Sequence, residues 1–431
     1  IATHDVDLGE LAKGEMALAE ASFLMGGPDL WTPAQPALYV LQTSIVDGAT
    51  RLDATWSTFG LRHVTVDPER PRLLLNGRPV MLVGVGLHDE VLEPGETETA
   101  RSAHRARSPV QLLAQLGRAR DVGATLIRAG HTPANPMLLM LADRLGFAVW
   151  EEIPLYHYTP LTFGIAIDRG IAEQMLREMA LRDMNRPSVF FHGLANESTG
   201  VEEREEALEI LHKADREIDG TRLTGQAAYG FQPDDATQGP LDVAGYTLYH
   251  GVFYGTDAAA GTAAALETAH ATYPDKPILA LEFGRWSDDA RGLTAQRSIF
   301  DDTFAELLRR SDRRVGGYVA AAVWWTLEDY TTRQPGIAIE HFGLYDGLGQ
   351  LRPAGEAAAT AFGQVAGGDR ELGIESSVRR AEAVQETRDG PQLLLFVGYG
   401  ILAVVAILGG ILAALVGRGG RSVGRGVRSA R

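Results

Sequence analysis

Two glutamates stand where acid–base chemistry needs them. Glu197 follows the mostly apolar run 188–194, and Glu282 sits at the end of PILALEFG. Each comes directly after a short apolar stretch of the kind expected for a strand buried on both faces. A carboxylate just past such a strand lies at its C-terminal mouth, where parallel α/β folds hold their chemistry. Taken alone, Glu197 reads equally well as the first-turn acid or cap of the next helix. As a pair across one mouth, the two are the minimum equipment for cleaving a glycosidic bond. One gives a proton to the leaving oxygen, and the other attacks the anomeric carbon or activates water.

Further polar residues collect at the same strand ends: His88-Asp89-Glu90, Arg128 with His131, Trp150-Glu151-Glu152, Asn196, Tyr249-His250, and Trp325 followed by Glu328-Asp329. Asn196, Arg128 and His131 can hydrogen-bond sugar hydroxyls. Trp150, Trp325 and Tyr249 can offer ring faces to sugar C–H surfaces. The candidate site is Glu197 and Glu282 as the catalytic pair, with Asn196, Arg128, His131, Tyr249, Trp325, His88 and Glu152 around the substrate. The competing use of His88, Glu90 and Glu197 is a metal site, but their spacing is not that of a tight ligand set. No metal or other cofactor is expected.

The elements that must carry these residues follow a βα rhythm from Arg72 onward. Candidate strands are 80–87, 124–128, 148–151, 188–194, 222–226, 242–247, 278–282 and 319–325. Between them, 109–122 and 203–218 have helical periodicity with charged outer faces. Eight βα units over 68–365 predict a closed (β/α)8 TIM barrel of α/β class. A doubly wound open sheet is the runner-up, and no glycine-rich phosphate loop supports it. Residues 1–67 predict a partial β-sandwich, with strands at 38–45 and within 55–66 and a hairpin signal at Asp47-Gly48.

Composition narrows the class. The 431 residues include no cysteine, which excludes disulfides, thiolate metal sites and a cysteine nucleophile. The formal net charge of −16 argues against nucleic-acid binding. Lysine occurs only at Lys13, Lys213 and Lys276, so nearly all positive charge is arginine.

Residues 393–416 run for 24 positions without a charge, long enough to cross a bilayer with some tilt. The tail 418–431 carries five arginines and no acid. These predict a transmembrane helix over 391–417, a cytoplasmic tail and an extracytoplasmic remainder in a single-pass protein. The charged stretch 366–390 reads as a linker or stalk. The chain begins at Ile1 and shows no signal peptide, so an N-terminal segment is expected to be missing.

Several motifs in order resemble glycoside hydrolase family 2, which includes β-galactosidases, β-glucuronidases and β-mannosidases. PDLWTPAQPALYVLQ and FGLR resemble the end of its immunoglobulin-like sandwich. LLLNGRPVMLVGVGLHDE, LIRAGHTPANPMLLMLADRLGFAVWEEIP, RDMNRPSVFFHGLANES, DVAGYTLYHGVFYG, KPILALEFG and VWWTLEDY resemble successive barrel motifs. The resemblance implies a retaining double displacement with Glu197 as acid/base and Glu282 as nucleophile. It also implies Asn196 on the sugar 2-hydroxyl, Tyr249 orienting Glu282, and Arg128, His131 and Trp325 in the pocket. The chain departs from the family at Arg186, where histidine is usual, at His192, where tryptophan is usual, and at Thr247, where asparagine is common. Gly86-Leu87-His88-Asp89 replaces the usual Asn-Arg-His-Glu, and the Asn-x-Lys pair of β-glucuronidases is absent.

The function expected is a membrane-anchored retaining β-glycosidase acting on a β-glycoside, with oligomeric state left open. The alternative is a non-catalytic carbohydrate-binding or envelope scaffold protein on a degenerate barrel. Turnover across a β-glycoside panel separates the two.

Overall fold

The computed structural model describes residues 3–88, 107–332 and 339–365. Its described residues fall into two compact units, one holding 3–28 and the other holding the described residues from Asp29 to 365. The linker expected at 366–390, the helix expected at 391–417 and the tail 418–431 lie outside the described residues, as do Asp89 and Glu90. Among the described residues, no helix is long and apolar enough to cross a membrane. Residues 3–28 hold neither helix nor strand.

All eight expected barrel strands form: β6 (Leu82–Leu87), β7 (Leu126–Ala129), β8 (Ala148–Glu152), β9 (Val189–Asn196), β10 (Leu223–Tyr229), β11 (Ala244–Thr247), β12 (Ile278–Phe283) and β13 (Val319–Trp324). They close into one parallel barrel, which sets aside the open sheet. Nearly every residue of these strands is buried, because the barrel interior covers one face and helices cover the other.

Helices return the chain to the bottom of the barrel after most strands, and their starts are written in the sequence. In α1 (Pro109–Asp121), Ser108 and Gln111 form a reciprocal capping box ahead of Pro109. Asn135 caps α2 (Pro136–Leu145), which stops at Gly146 in the left-handed conformation. After β8 come α3 (Pro160–Asp168) and α4 (Ile171–Asp183). Helix α5 (Glu202–Ile218) opens on Glu202, Glu203 and Glu205, which complement its positive end. Helices α6 (Ala258–Thr272) and α7 (Gly292–Arg309) and helical residues 353–365 complete the ring. The return after β10 is only a single 3₁₀ turn, Ala236–Gln238.

The region before the barrel differs from the expected sandwich. Strands β1 (Tyr39–Asp47) and β2 (Thr50–Phe59) form a hairpin across Gly48. The second predicted strand is interrupted after Phe59, and its remainder is β3 (Val64–Val66). That strand pairs with β4 (Leu73–Leu75), and β4 pairs with β5 (Arg78–Pro79), in a separate sheet. The interruption arises because Leu61 and Arg62 serve other partners. Leu61 O accepts from the Trp31 amide at 2.7 Å, and Arg62 donates to Val189 O at 2.6 Å and Pro187 O at 3.2 Å. Trp31, Val64, Leu73 and Leu75 then join Leu82, Phe190, Leu223 and Leu279 in one apolar cluster. This cluster closes the barrel on the side where its strands begin and leaves the opposite mouth to the polar residues.

Two family departures are absorbed in this framework. Arg186 pairs with buried Asp143 at 3.0 Å, while Ser188 donates both its amide and its hydroxyl to the other oxygen of Asp143. His192 is buried and places Nδ1 2.6 Å from Asp215 on α5.

Candidate active site

Strand alternation alone does not aim the two glutamates inward. On β12, Leu279 and Leu281 belong to the barrel-interior cluster, whereas Ala280 and Phe283 belong to the helix-side cluster. Strict alternation therefore sends Glu282 outward. An irregularity corrects this: Tyr246 and Thr247 of β11 face Ala280 and Glu282 of β12, so β12 carries one extra residue. On β9, three steps from Gly193 to Asn196 oppose two steps from Gly225 to Ala227. Leu194 and Ala195 pack toward the helices, and Asn196 turns back into the mouth. Such bulges re-aim side chains next to active sites. Glu197 then adopts a left-handed backbone, φ +41°, a conformation that favours glycine and that non-glycine residues keep mainly at functional positions.

Arg128 is the hub of the mouth. It is fully buried and donates Nη1 to Glu282 Oε1 and, at 3.3 Å, to Leu281 O. Its Nη2 donates to Asn196 Oδ1 at 2.7 Å and to both Glu152 oxygens at 3.2 Å. Tyr249 donates to the other oxygen of Glu282 at 2.7 Å, so both carboxylate oxygens are held. His131 Nδ1 lies 2.6 Å from Glu152 Oε1, and Trp150 Nε1 donates to Glu152 Oε2 at 2.7 Å. Trp325 lies 5.7 Å from the Arg128 guanidinium carbon and stacks on His131 at 5.1 Å. His88 stacks on Tyr330 at 4.5 Å and meets Trp325 edge-on.

Two glycines make this packing feasible. A Cβ on Gly193 would meet Glu152 Cβ and Trp150 Nε1, each at 2.5 Å, and a Cβ on Gly86 would fall 2.3 Å from the Trp325 ring.

The electrostatics follow from burial and pairing. Burial raises the Glu282 carboxyl, the Arg128 guanidinium opposes it, and the charge of Glu197 raises it further. The donors from Arg128 and Tyr249 favour the ionised form that a nucleophile needs. Burial also pushes Glu152 up, but Arg128, His131 and Trp150 together hold it down to about 2. Glu197 and Glu282 both act on Tyr229, Tyr249 and Tyr254, as two carboxyls sharing one cavity do. Asn196 gives its Oδ1 to Arg128, and its buried Nδ2 has no partner among the described residues. A buried amide hydrogen left this way fits a ligand hydroxyl.

Replacing Arg128 with Met strands Glu152 and Glu282 as buried charges without their cation. The expected loss is about 3–5 kcal/mol of folding stability in urea titrations at neutral pH. A loss below about 1 kcal/mol contradicts the hub role.

All nine expected site residues are brought together. One ring-face expectation is corrected: Trp150 is fully buried, packs against Phe191 at 5.5 Å and serves Glu152, so it offers no face to a sugar. Trp150 lies two residues before Glu152 on the same strand face, about 6.6 Å deeper at roughly 3.3 Å per residue. The sequence reading also missed His157. Its Nε2 lies 3.3 Å from Glu197 Oε2, and its own backbone is left-handed at φ +54°. The loop carrying it zips onto β9: His157 donates its amide to Asn196 O, and Asn196 donates to Leu155 O. A loop histidine outside any periodic run leaves no sequence signal.

On the opposite face of β8, Glu151 meets a second buried charge group. Ala134 N donates to its Oε2 at 3.3 Å, Arg182 lies 3.7 Å away and His192 Nε2 4.0 Å away. Burial, then the neighbouring charge of Asp183, pushes Glu151 up to about 8. Burial lowers His192, but Asp215 and Glu151 outweigh it and raise it. Folded protein therefore holds a proton that unfolded chain releases between the ordinary 4.5 and about 8. Stability is expected to fall as pH rises through that window, by about 1.4 kcal/mol for each pH unit crossed. His192 acts in the same sense. Glu151→Gln is expected to flatten this slope in chemical unfolding at pH 5 to 8, and an unchanged slope counts against the assignment.

Residues 66–334 match the family described as glycosyl hydrolases family 2, TIM barrel domain. A β-glucuronidase of Streptococcus agalactiae is 27% identical over 344 residues, covering 73% of this chain and 55% of that protein. A β-galactosidase of Bacteroides ovatus is 29% identical over 191 residues, 44% of this chain and 21% of that one. The chain thus spans about half the length of the first relative and less of the second. Among solved structures, a β-glucuronidase from Ruminococcus gnavus in complex with C6-substituted uronic isofagomine superposes with a TM-score of 0.69 at 20% identity, over 78% of this chain and 58% of that chain. A family 2 β-galacturonidase from Eisenbergiella tayi bound to galacturonate gives 0.65 at 19% identity, over 78% and 59%. At these identities the structural likeness bears on the fold.

Proposed function

The chain belongs to glycosyl hydrolase family 2, and on that footing we propose that it is a retaining β-glycosidase. The observation that carries the reading is the Glu282 carboxylate, held on one oxygen by Arg128 and on the other by Tyr249, with Glu197 acting on the same cavity. In the first step Glu282 attacks the anomeric carbon while Glu197 gives its proton to the glycosidic oxygen, and the aglycone leaves. In the second, Glu197 takes a proton from water. That water attacks the anomeric carbon and releases Glu282 with configuration retained. Asn196 offers its free Nδ2 hydrogens to the sugar 2-hydroxyl, and Arg128 fixes its orientation.

The relatives include β-glucuronidases and β-galactosidases, so β-glucuronides and β-galactosides are the first substrates to test. Following the anomer first released by proton NMR should show the β product. A first-formed α anomer, or release from α-glycosides alone, counts against the mechanism.

The apolar run 393–416 and the arginine tail support anchoring in a membrane with the barrel outside the cytoplasm. Deleting residues 391–431 should move the protein from the membrane to the soluble fraction. A full chain that is already soluble contradicts the anchor.

A further inference from the structure

The two glutamates of the mouth are held very differently. Glu282 has a donor on each carboxylate oxygen. Glu197 has one side chain within hydrogen-bond distance of its carboxyl among the described residues, His157, whose Nε2 lies 3.3 Å from Oε2. A half-exposed pair of this kind adds little to folding stability, so its interest lies in how it is placed. Both partners stand on left-handed backbone, φ +54° at His157 and +41° at Glu197. Non-glycine residues keep that conformation where their surroundings impose it.

The main chain imposes it on one side. The loop after β8 runs parallel to the end of β9, with a bridge between Tyr156 and Asn196. His157 donates its amide to Asn196 O at 3.0 Å, Tyr158 donates to Ser198 Oγ at 3.0 Å, and Thr199 donates to Tyr158 O at 2.8 Å. These bonds bracket His157 and Glu197 and use only the backbone of residue 157. On the other side the imidazole is held by stacked rings. His157 stacks on Tyr156 at 4.1 Å and 24°, Tyr156 on His131 at 4.9 Å and 7°, and His131 on Trp325 at 5.1 Å and 23°. Trp325 covers Arg128, the residue that holds Glu282. One stack therefore runs from the clamp on Glu282 to the carboxyl of Glu197.

A carboxylate can only accept, so the pair is satisfied with Nε2–H donating to Oε2. In the acid form of Glu197, the oxygen that accepts this bond is the carbonyl oxygen, which leaves the proton to Oε1. Once the proton has gone to the leaving group, His157 still holds Oε2, and Oε1 is the oxygen left to take a proton from water. We propose that His157 is a positioning residue for Glu197, fixing the rotation of its carboxyl and directing its proton to Oε1 in both steps. This rests on the glycosidase reading given above and deepens it.

The test compares wild type, His157→Ala and His157→Gln on the phenyl and 2,4-dinitrophenyl β-glycosides of one glycone. Both variants carry the same left-handed backbone burden, but glutamine keeps an N–H donor near the place of Nε2 and alanine does not. kcat/KM reports formation of the glycosyl-enzyme, which needs the proton of Glu197 for phenol and not for dinitrophenol. His157→Ala should lose roughly five- to thirtyfold in kcat/KM on the phenyl glycoside, the scale of one hydrogen bond to a charged group. Its kcat/KM on the dinitrophenyl glycoside should change less than about twofold, which also reports an intact fold. His157→Gln should recover the phenyl rate to within about threefold of wild type. Equal losses on both substrates, no loss on the phenyl glycoside, or a glutamine variant no better than alanine overturns the positioning role. In those cases wild type still turns over and takes a 2-fluoro glycosyl label at Glu282, so the glycosidase reading survives. If wild type neither turns over nor labels, the glycosidase reading falls and the role of His157 with it.

Discussion

Glu282→Gly is expected to lower hydrolysis of an activated aryl β-glycoside by on the order of a hundred-thousandfold, the scale seen when a nucleophile is removed. The substitution takes away the atom that attacks the anomeric carbon and leaves the acid in place. It also opens space beside Arg128 and Tyr249, which hold the carboxylate in the intact protein. Azide supplied in that space should restore turnover and yield an α-glycosyl azide, because a nucleophile entering from the Glu282 side inverts the centre once. Retention of more than about a hundredth of the activity would remove Glu282 from the nucleophile role.

Glu197→Gln should behave differently according to the leaving group. A poor leaving group cannot depart without a proton, so its release should fall about 10²- to 10⁴-fold, the contribution general acid catalysis makes. A 2,4-dinitrophenyl group needs no such help, and formation of its glycosyl-enzyme should change far less. The second step then slows, because no base is present to activate water. Azide given to Glu197→Ala should produce the β-glycosyl azide, the opposite anomer to that from Glu282→Gly. A uniform loss across leaving groups argues that Glu197 positions substrate without moving a proton.

Much of the barrel was readable before the structure, because each strand is a short apolar run closed by polar residues and turn signals. The two mouth glutamates were legible as candidates because both come at the ends of such runs, although Glu197 taken alone reads equally well as a helix cap. How they point inward was not readable. Side-chain alternation places Glu282 with Ala280 on the helix side, and only the extra residue in β12 reverses that. The bulge at Leu194 and Ala195 does the same for Asn196. Bulges are set by pairing between strands far apart in sequence, which one chain read locally does not contain. Trp150 was misplaced for a related reason, since its face was legible but its depth was not. The departures at Arg186 and His192 could be seen, yet their partners Asp143 and Asp215 lie 43 and 23 residues away and follow no local pattern. The sandwich was overdrawn because the run through 55–66 looks continuous, whereas Leu61 and Arg62 are committed to Trp31 and the foot of β9.

Trapping the covalent intermediate tests the central claim most directly. Incubating the protein with 2-fluoro glycosyl fluorides of the glucuronic acid, galactose and mannose series slows both steps, and the good fluoride leaving group lets the glycosyl-enzyme accumulate. Mass spectrometry of the digested protein should then find one sugar on the peptide containing Glu282, and the series that labels identifies the glycone. A label on any other residue, or no label from any series in a protein that turns over the matching β-glycoside, contradicts a double displacement through Glu282.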